Sequence, residues 1–242
     1  MTIIQAFINA STGVILISVD MEAVRDRETD VGSDRRERRF ELRGGVVCLD
    51  FVNTVGWRFT DRPIDYLRSY EDLLDWGRQA GLLAPEETEG LSRQAALDPE
   101  GARETLSRAL ALREVIHRMI SRAIVGESQD ESDLSALNRE LSIALSHLRV
   151  TPADGAYGWV WDRSGGGGGM RLDSPLWPVA QSAAELLTSP KLGRVKLCAG
   201  EGCGWVFLDE SRNGSRRWCD SRDCGNRERV RRHLARKRAF DA

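Results

Sequence analysis

The chain has 242 residues, 41% of them hydrophobic and 30% charged, with a formal net charge of −2. That is the make-up of a globular protein with one substantial core plus room for a small appended module, and it excludes a chain built to sit in a membrane. The near-neutral total conceals a division. From Lys191 onward there are fourteen Lys/Arg against seven Asp/Glu, which leaves 21 basic and 30 acidic residues in the preceding 190. An acidic body with a basic tail is the asymmetry of a protein that holds a polyanion, the alternative being a solvated tail with no partner.

In chain order, residues 1–38 carry no assignable function. Met1–Val19 has no charged residue, but Gln5, Asn9, Ser11 and Thr12 interrupt it. It lacks the basic start and small-residue cleavage site of a signal peptide, and it falls short of the ~20 strongly apolar residues of a spanning helix. Glu22–Arg39 is dense in mixed charge and reads as disordered, so 1–38 is expected to be a disordered or mis-assigned extension, with Met21 an alternative start.

Order is expected from Phe40. Phe40–Gly45 alternates and then turns, a short strand signal. Val46–Val55 is apolar enough to be either helix or strand. Helix signals follow. Ser69 with Asp72 forms a capping box ahead of Leu73, Leu74 and Trp76, and Gly81 closes that helix. Pro85-Glu86-Glu87 opens another. Asp98-Pro99-Glu100 begins a longer one, with an apolar face of Leu106, Leu110, Ile116, Met119, Ile120 and Ile124. Leu134, Leu137, Leu141, Leu145 and Leu148 recur at helical spacing. Trp159–Trp161 and Met170–Leu172 flank the glycine run 165–169 as a hairpin with a loose loop. Ser174-Pro175 starts a helix through Leu187, and Arg194–Leu197 is a strand. The predicted class is α+β: a mostly helical N-terminal body with a few strands over 39–190, then a small C-terminal zinc-finger module over 191–242 that ends in a basic helix.

Cys198, Cys203, Cys219 and Cys224 form two C-x4-C pairs separated by fifteen residues. Thiolates are soft ligands, and four of them arranged tetrahedrally suit Zn²⁺ or an iron–sulfur centre. Gly200, Gly202 and Gly204 would let the backbone turn sharply around a metal. Two disulfides are the other alternative, but clustered cysteines without a secretory signal favour zinc. Four protein ligands leave no position for water, so the ion's role is structural. Trp205, Phe207 and Trp218 are expected to cover it, with packing favoured over base stacking. Cys48 stands alone in an apolar run and reads as core.

Past the last ligand, Gly225 permits a tight turn, and Asn226 suits the N-cap of a helix from Arg227 to about Arg238. Its apolar seam, Val230 and Leu234, is expected to dock on the metal module or the body. Arg227 and Arg231 flank the seam on one side, and Arg229, Arg232 and Arg236 on the other. Like charges at i,i+4 cost about 0.2–0.5 kcal/mol each, so local stability does not explain the crowding. A phosphate backbone does, with Arg212, Arg216, Arg217 and Arg222 adding contacts from the inter-knuckle loop. Pairing of these arginines with the chain's own acidic body is the competing reading.

The stretch Trp218-Cys219 through Cys224-Gly225-Asn226-Arg227 resembles the CGNR zinc finger, and Phe207–Arg212 with Arg216-Arg217-Trp218 is similar to that family's connecting segment. The body, through Gly44-Gly45, Cys48–Thr54 and the Trp76 helix, resembles the ABATE domain that precedes this finger in bacterial stress-induced transcription regulators. The likeness covers about residues 40–238; the extension 1–38 and the glycine run fall outside the pattern. It implies zinc and DNA binding.

No enzyme is expected. His117, His147 and His233 all fall in predicted helices without a triad around them, and the glycine run lacks the Lys-Ser/Thr of a phosphate loop. Asp50, Asn53 and Arg58, with Trp57, either line an effector pocket or make structural hydrogen bonds. The expected function is that of a zinc-dependent, DNA-binding transcriptional regulator of the bacterial cytoplasm. Its finger and basic helix would contact double-stranded DNA, and its body would sense or oligomerise. A finger that binds protein or RNA without a promoter target is the alternative. A homodimer and a small-molecule effector are partners the sequence leaves open, and a membrane is not expected.

Overall fold

The computed structural model describes residues 39–153 and 155–240; the expectation for 1–38 lies outside the described residues. The ambiguous run Val46–Val55 is both things in turn. A short helix, α1 (Val47–Val52), buries Cys48, Leu49, Phe51 and Val52, and a two-residue strand, β1 (Val55–Gly56), follows it. A helix buried on nearly every side carries no 3.6-residue period, which is why the pattern could not distinguish it from a strand. β1 pairs antiparallel with β2 (Ile64–Asp65). No strand forms over Phe40–Gly45. That segment finds no partner edge along its length, and only the Gly44 carbonyl is engaged, by the Leu208 N–H at 2.8 Å.

The helix signals are realised with their caps. α2 (Tyr70–Gln79) starts at the Ser69–Asp72 capping box, and Gly81 beyond its end takes φ 72°. α3 (Pro85–Leu97) opens on its proline, with Glu87 reaching back to the Ala84 N–H at 2.8 Å. α4 (Pro99–Val125) is capped by Asp98 and closed by left-handed Gly126. No described helix is long and apolar enough to cross a membrane.

One expected helix is too long, and one hairpin has the wrong partner. α5 (Glu131–Ser146) stops before Leu148, which instead opens β3 (Leu148–Ala153). β3 pairs antiparallel with β4 (Ala156–Trp161), in the register Leu148↔Trp161, Val150↔Trp159 and Pro152↔Tyr157. Trp159–Trp161 therefore pairs backwards along the chain rather than across the glycine run. Physically, Pro152 cannot donate in a helix interior, and Asp154-Gly155 is a two-residue hairpin sequence. Met170 makes only an isolated bridge, to Ser164.

A 3₁₀ turn at Ser174–Leu176 leads into α6 (Trp177–Leu187), which lies at the centre with α1, α4 and α5 packed around it. Ala180 and Ala183 are fully buried and allow that close approach. Trp76, Trp177 and Phe51 are the largest wholly buried side chains. Each stabilises the fold by about 2–3 kcal/mol of apolar burial.

β5 (Val195–Leu197) and β6 (Val206–Leu208) form an antiparallel pair that joins the body to the cysteine module. Strand alternation does the joining. Val206 and Leu208 pack into the main core, whereas Trp205 and Phe207, pointing the other way, pack with the four cysteines. The chain ends in α7 (Cys224–Phe240).

Candidate metal centre and nucleic-acid interface

The four cysteine sulfurs all lie within 4.8 Å of one another, and all four residues are buried. Cys203 and Cys219 sulfurs stand 3.8 Å apart, Cys219 and Cys224 3.6 Å. A zinc ion with four Zn–S bonds of about 2.3 Å sits in a sulfur tetrahedron whose edges are about 3.8 Å, so the donor set fits it. Backbone N–H groups point at the sulfur of Cys198, from Cys219 at 3.2 Å and from Gly200 at 3.4 Å. Such donors favour the thiolate over the thiol. Contacts from Cys203 and Cys219 hold the Cys198 thiol far below its ordinary range, while Cys203 is pushed up to about 12 by Cys198, and Cys219 upward as well by Cys198 and Cys203. Four thiols this close cannot all ionise unless a cation sits among them.

The knuckle geometry needs its glycines. Gly202 and Gly204 hold φ of 72° and 73°. A Cβ on Gly204 would stand 2.6 Å from the Cβ of Arg58, and one on Gly202 2.5 Å from Thr60. The body loop lies directly against this knuckle: the N–H groups of Arg58 and Phe59 donate to the carbonyls of Cys203 and Gly202, both at 3.2 Å. Trp205 Nε1 donates to the Val55 carbonyl at 2.8 Å.

Asp209, fully buried, organises the inter-knuckle loop. It accepts from Lys196 Nζ at 2.6 Å and from the N–H groups of Arg216 and Ser211, each at 3.0 Å. The Lys196 ammonium holds its carboxyl well below the usual carboxylate range.

The arginines fall into two groups. Arg216 is consumed internally: it lies over the Phe207 ring at 4.2 Å and donates to the carbonyls of Trp218 and Cys219. Arg227 stacks 4.2 Å over Trp57, pairs with Asp223 at 2.9 Å and donates to the Cys224 sulfur at 3.5 Å. Arg231 pairs with Glu201 and Glu228, and Arg232 with Glu228. Arg212, Arg217, Arg222, Arg229 and Arg236 are exposed, and among the described residues none has an acidic partner. Arg217 lies 5.4 Å from the Trp218 ring centre. The Glu228 contacts, at i+3 and i+4, were readable from sequence spacing; the Trp57–Arg227 stack left no such signal.

α7 begins at its ligand, Cys224, so Asn226 lies inside the helix. Asp220 caps the preceding turn instead, its carboxylate accepting from the Asp223 N–H at 3.1 Å and its carbonyl from the Gly225 N–H at 2.9 Å. The expected docking of the apolar seam does not occur. Val230 is 50% exposed and Leu234 49%, because α7 leaves the module after Arg231, its last described side-chain tie back to it.

The proposed effector residues are split. Asp50 and Asn53 line one cavity at the junction of body and finger, and Arg58 does not. Arg58 is instead paired with Glu114 and donates to the Val52 carbonyl at 3.1 Å. Burial pushes the Asp50 carboxyl up to about 6. Buried His117 lies behind this loop and is held down to about 4, by burial first and then by Arg58.

A helical body stitched to a four-cysteine metal centre that launches a cationic helix defines the class: a helical domain bearing a structural zinc finger. Family models agree with that class. The ABATE domain, described as "Putative stress-induced transcription regulator", matches residues 45–190, and the CGNR zinc finger matches residues 194–237. The chain belongs to the ABATE family and carries a CGNR zinc finger. A search of curated proteins returns no match.

Proposed function

We propose that this protein is a zinc-dependent DNA-binding transcriptional regulator, with the finger and α7 contacting duplex DNA and the body sensing or oligomerising. The observation that carries the reading is α7 itself. It starts at a metal ligand, so the ion sets its direction, and it then stands clear of the module with its arginines in solvent. Seventeen residues span about 26 Å, enough to lie in a major groove about 12 Å wide. Arg212, Arg217, Arg229, Arg231 and Arg232 are the proposed phosphate contacts, joined by Arg222 and Arg236. Arg216 and Arg227 hold the module in shape beneath them. A thiolate site belongs in a reducing compartment, and the cytoplasm is the proposed location.

Binding of the zinc-loaded protein to random and genomic duplexes, followed across salt concentration, tests the reading. The expected affinity falls steeply with salt, with a slope of about −0.9 per neutralised phosphate. Charge reversal at Arg222, Arg229 and Arg236 should abolish binding with zinc content unchanged; unaltered duplex affinity would end the proposal. The half-exposed Val230 and Leu234 favour a second reading, in which the same helix docks on a protein partner. In that case the double substitution Val230→Ser, Leu234→Ser removes a partner and leaves duplex affinity as it was.

A further inference from the structure

The cavity at the junction of body and finger has a volume of about 220 Å³. Trp57, Tyr66 and Trp76 wall it on the body side, Trp205, Cys203, Cys219 and Cys224 on the finger side, and exposed Arg39 and Glu41 edge it. Two of its polar groups are unspent. Trp76 is wholly buried, yet its indole N–H has no hydrogen-bond partner. Leaving such a donor unmet is costly, and one placed on a cavity wall waits for an acceptor. Asp50 accepts the Gly44 N–H at 2.6 Å, and among the described residues no cationic side chain pairs with it. Its neighbours on the wall are already committed. Asn53 is bonded twice to Val206, Thr54 donates to the Phe51 carbonyl, and Trp205 donates to Val55.

We propose that this cavity binds a small organic cation: an ammonium group held by Asp50 among the aromatic walls, on a ligand that also offers an acceptor oxygen to Trp76. The charge balance around the cavity favours a cation. A zinc ion bound by four thiolates carries a formal charge of −2 and adds to Asp50, whereas Arg227 is neutralised by Asp223 and the Cys224 sulfur. Aromatic faces attract cations further. The size also fits. A cavity of about 150 Å³ accommodates benzene, and an ion held between the thiolates takes only about 10–15 Å³ of the space here.

The site deepens the sensing role proposed for the body and supplies its physical route. Its walls include both Trp57 and Arg227, whose stack joins the body loop to the first turns of α7. An occupant therefore touches body, metal centre and basic helix together.

The test uses the zinc-loaded full chain and an isosteric pair, 2-phenoxyethylamine and the neutral 2-phenoxyethanol. Binding is followed by calorimetry and by the ¹⁵N-labelled tryptophan indole resonances. The amine should saturate the site, move the Trp76 indole signal and bind at least about ten-fold more tightly than the alcohol. Asp50→Asn keeps the acceptor for Gly44 but should erase the preference for the amine, with zinc content unchanged. Trp76→Phe keeps the ring and should weaken both ligands alike. Absence of saturable amine binding, equal binding of the alcohol, or a preference that survives Asp50→Asn would overturn the proposal. No DNA is present in the experiment, so its failure leaves the duplex-binding reading standing, and the reverse also holds.

Discussion

Asn53 closes both halves of its side-chain amide on a single residue, Val206, 153 positions away. Its Nδ2 donates to the Val206 carbonyl at 2.8 Å, and its Oδ1 accepts the Val206 N–H at 2.9 Å. Asn53 is 3% exposed and Val206 fully buried. The side chain therefore acts as a strand would, continuing the β6 edge into the body. The same strand carries Val206 and Leu208 into the main core and Phe207 to the metal.

Replacing Asn53 with leucine should expose the importance of that bridge. Two buried backbone groups lose their partners, and unmet groups of this kind cost about 1–3 kcal/mol each. A destabilisation of about 3 kcal/mol is expected in chemical denaturation; a loss under about 0.5 kcal/mol would mean that the bridge contributes little.

Metal removal should be felt far from the tail. Elemental analysis should return one zinc per chain, and Cys219→Ser with chelator should abolish it. Because β6 is shared between the two clusters, the body should melt earlier too. A loss of about 3 kcal/mol corresponds to about 6–12 °C in a chain of this size. Near-ultraviolet circular dichroism, dominated by the body's Trp76, Trp161 and Trp177, reads that shift. A melt of the body that ignores the metal would contradict the shared-strand account.

The arginines should separate by role. Arg216→Ala removes the contacts to Phe207, Trp218 and Cys219, and should lower stability by about 1–3 kcal/mol and loosen zinc retention. Arg229→Ala should leave the melting temperature in place while reducing the salt slope of duplex binding by about 1. The opposite assignment, with Arg216 neutral to stability and Arg229 structural, would reverse the two groups.

Asp50 gives the fold a definite pH signature. Its carboxyl is raised to about 6 in the folded protein against an ordinary value of 3.8, with burial as the main cause. The folded state therefore holds a proton that the unfolded chain has released between those two pH values. From this group stability falls as pH rises from about 4 to about 6 and then levels, by on the order of 2–3 kcal/mol. Asp50→Asn should flatten that part of the profile. His117, lowered to about 4, acts in the opposite direction between about 4 and 6.5, so the Asp50 component is obtained as wild type minus variant. Carboxyl ¹³C titration with a midpoint at the ordinary aspartate value would refute the assignment.

Some of this molecule was legible along the chain. The capping box at Ser69–Asp72, the proline-led starts of α3 and α4, and the four cysteines are all short-range devices. Their partners lie within a few residues, or within one turn of a knuckle, so spacing alone specifies them. The hairpin β3–β4 shows how close the limit lies: Leu148 fits a helical period, and only Pro152 and the turn after it divert it into a strand.

What spacing could not reach was decided by packing. Whether Val47–Val52 is helix or strand depended on α6 surrounding it. Whether Val230 and Leu234 dock depended on where Cys224 aims the helix. Arg216 and Arg229 look alike in sequence, yet only Arg216 has Phe207 beneath it. The meeting of Asp50, Trp76 and the cysteine sulfurs around one cavity depends on residues more than a hundred positions apart. Local chemistry specifies elements and ligands, because its interactions span a few bonds. The site itself comes from long-range burial, which no short window of sequence contains.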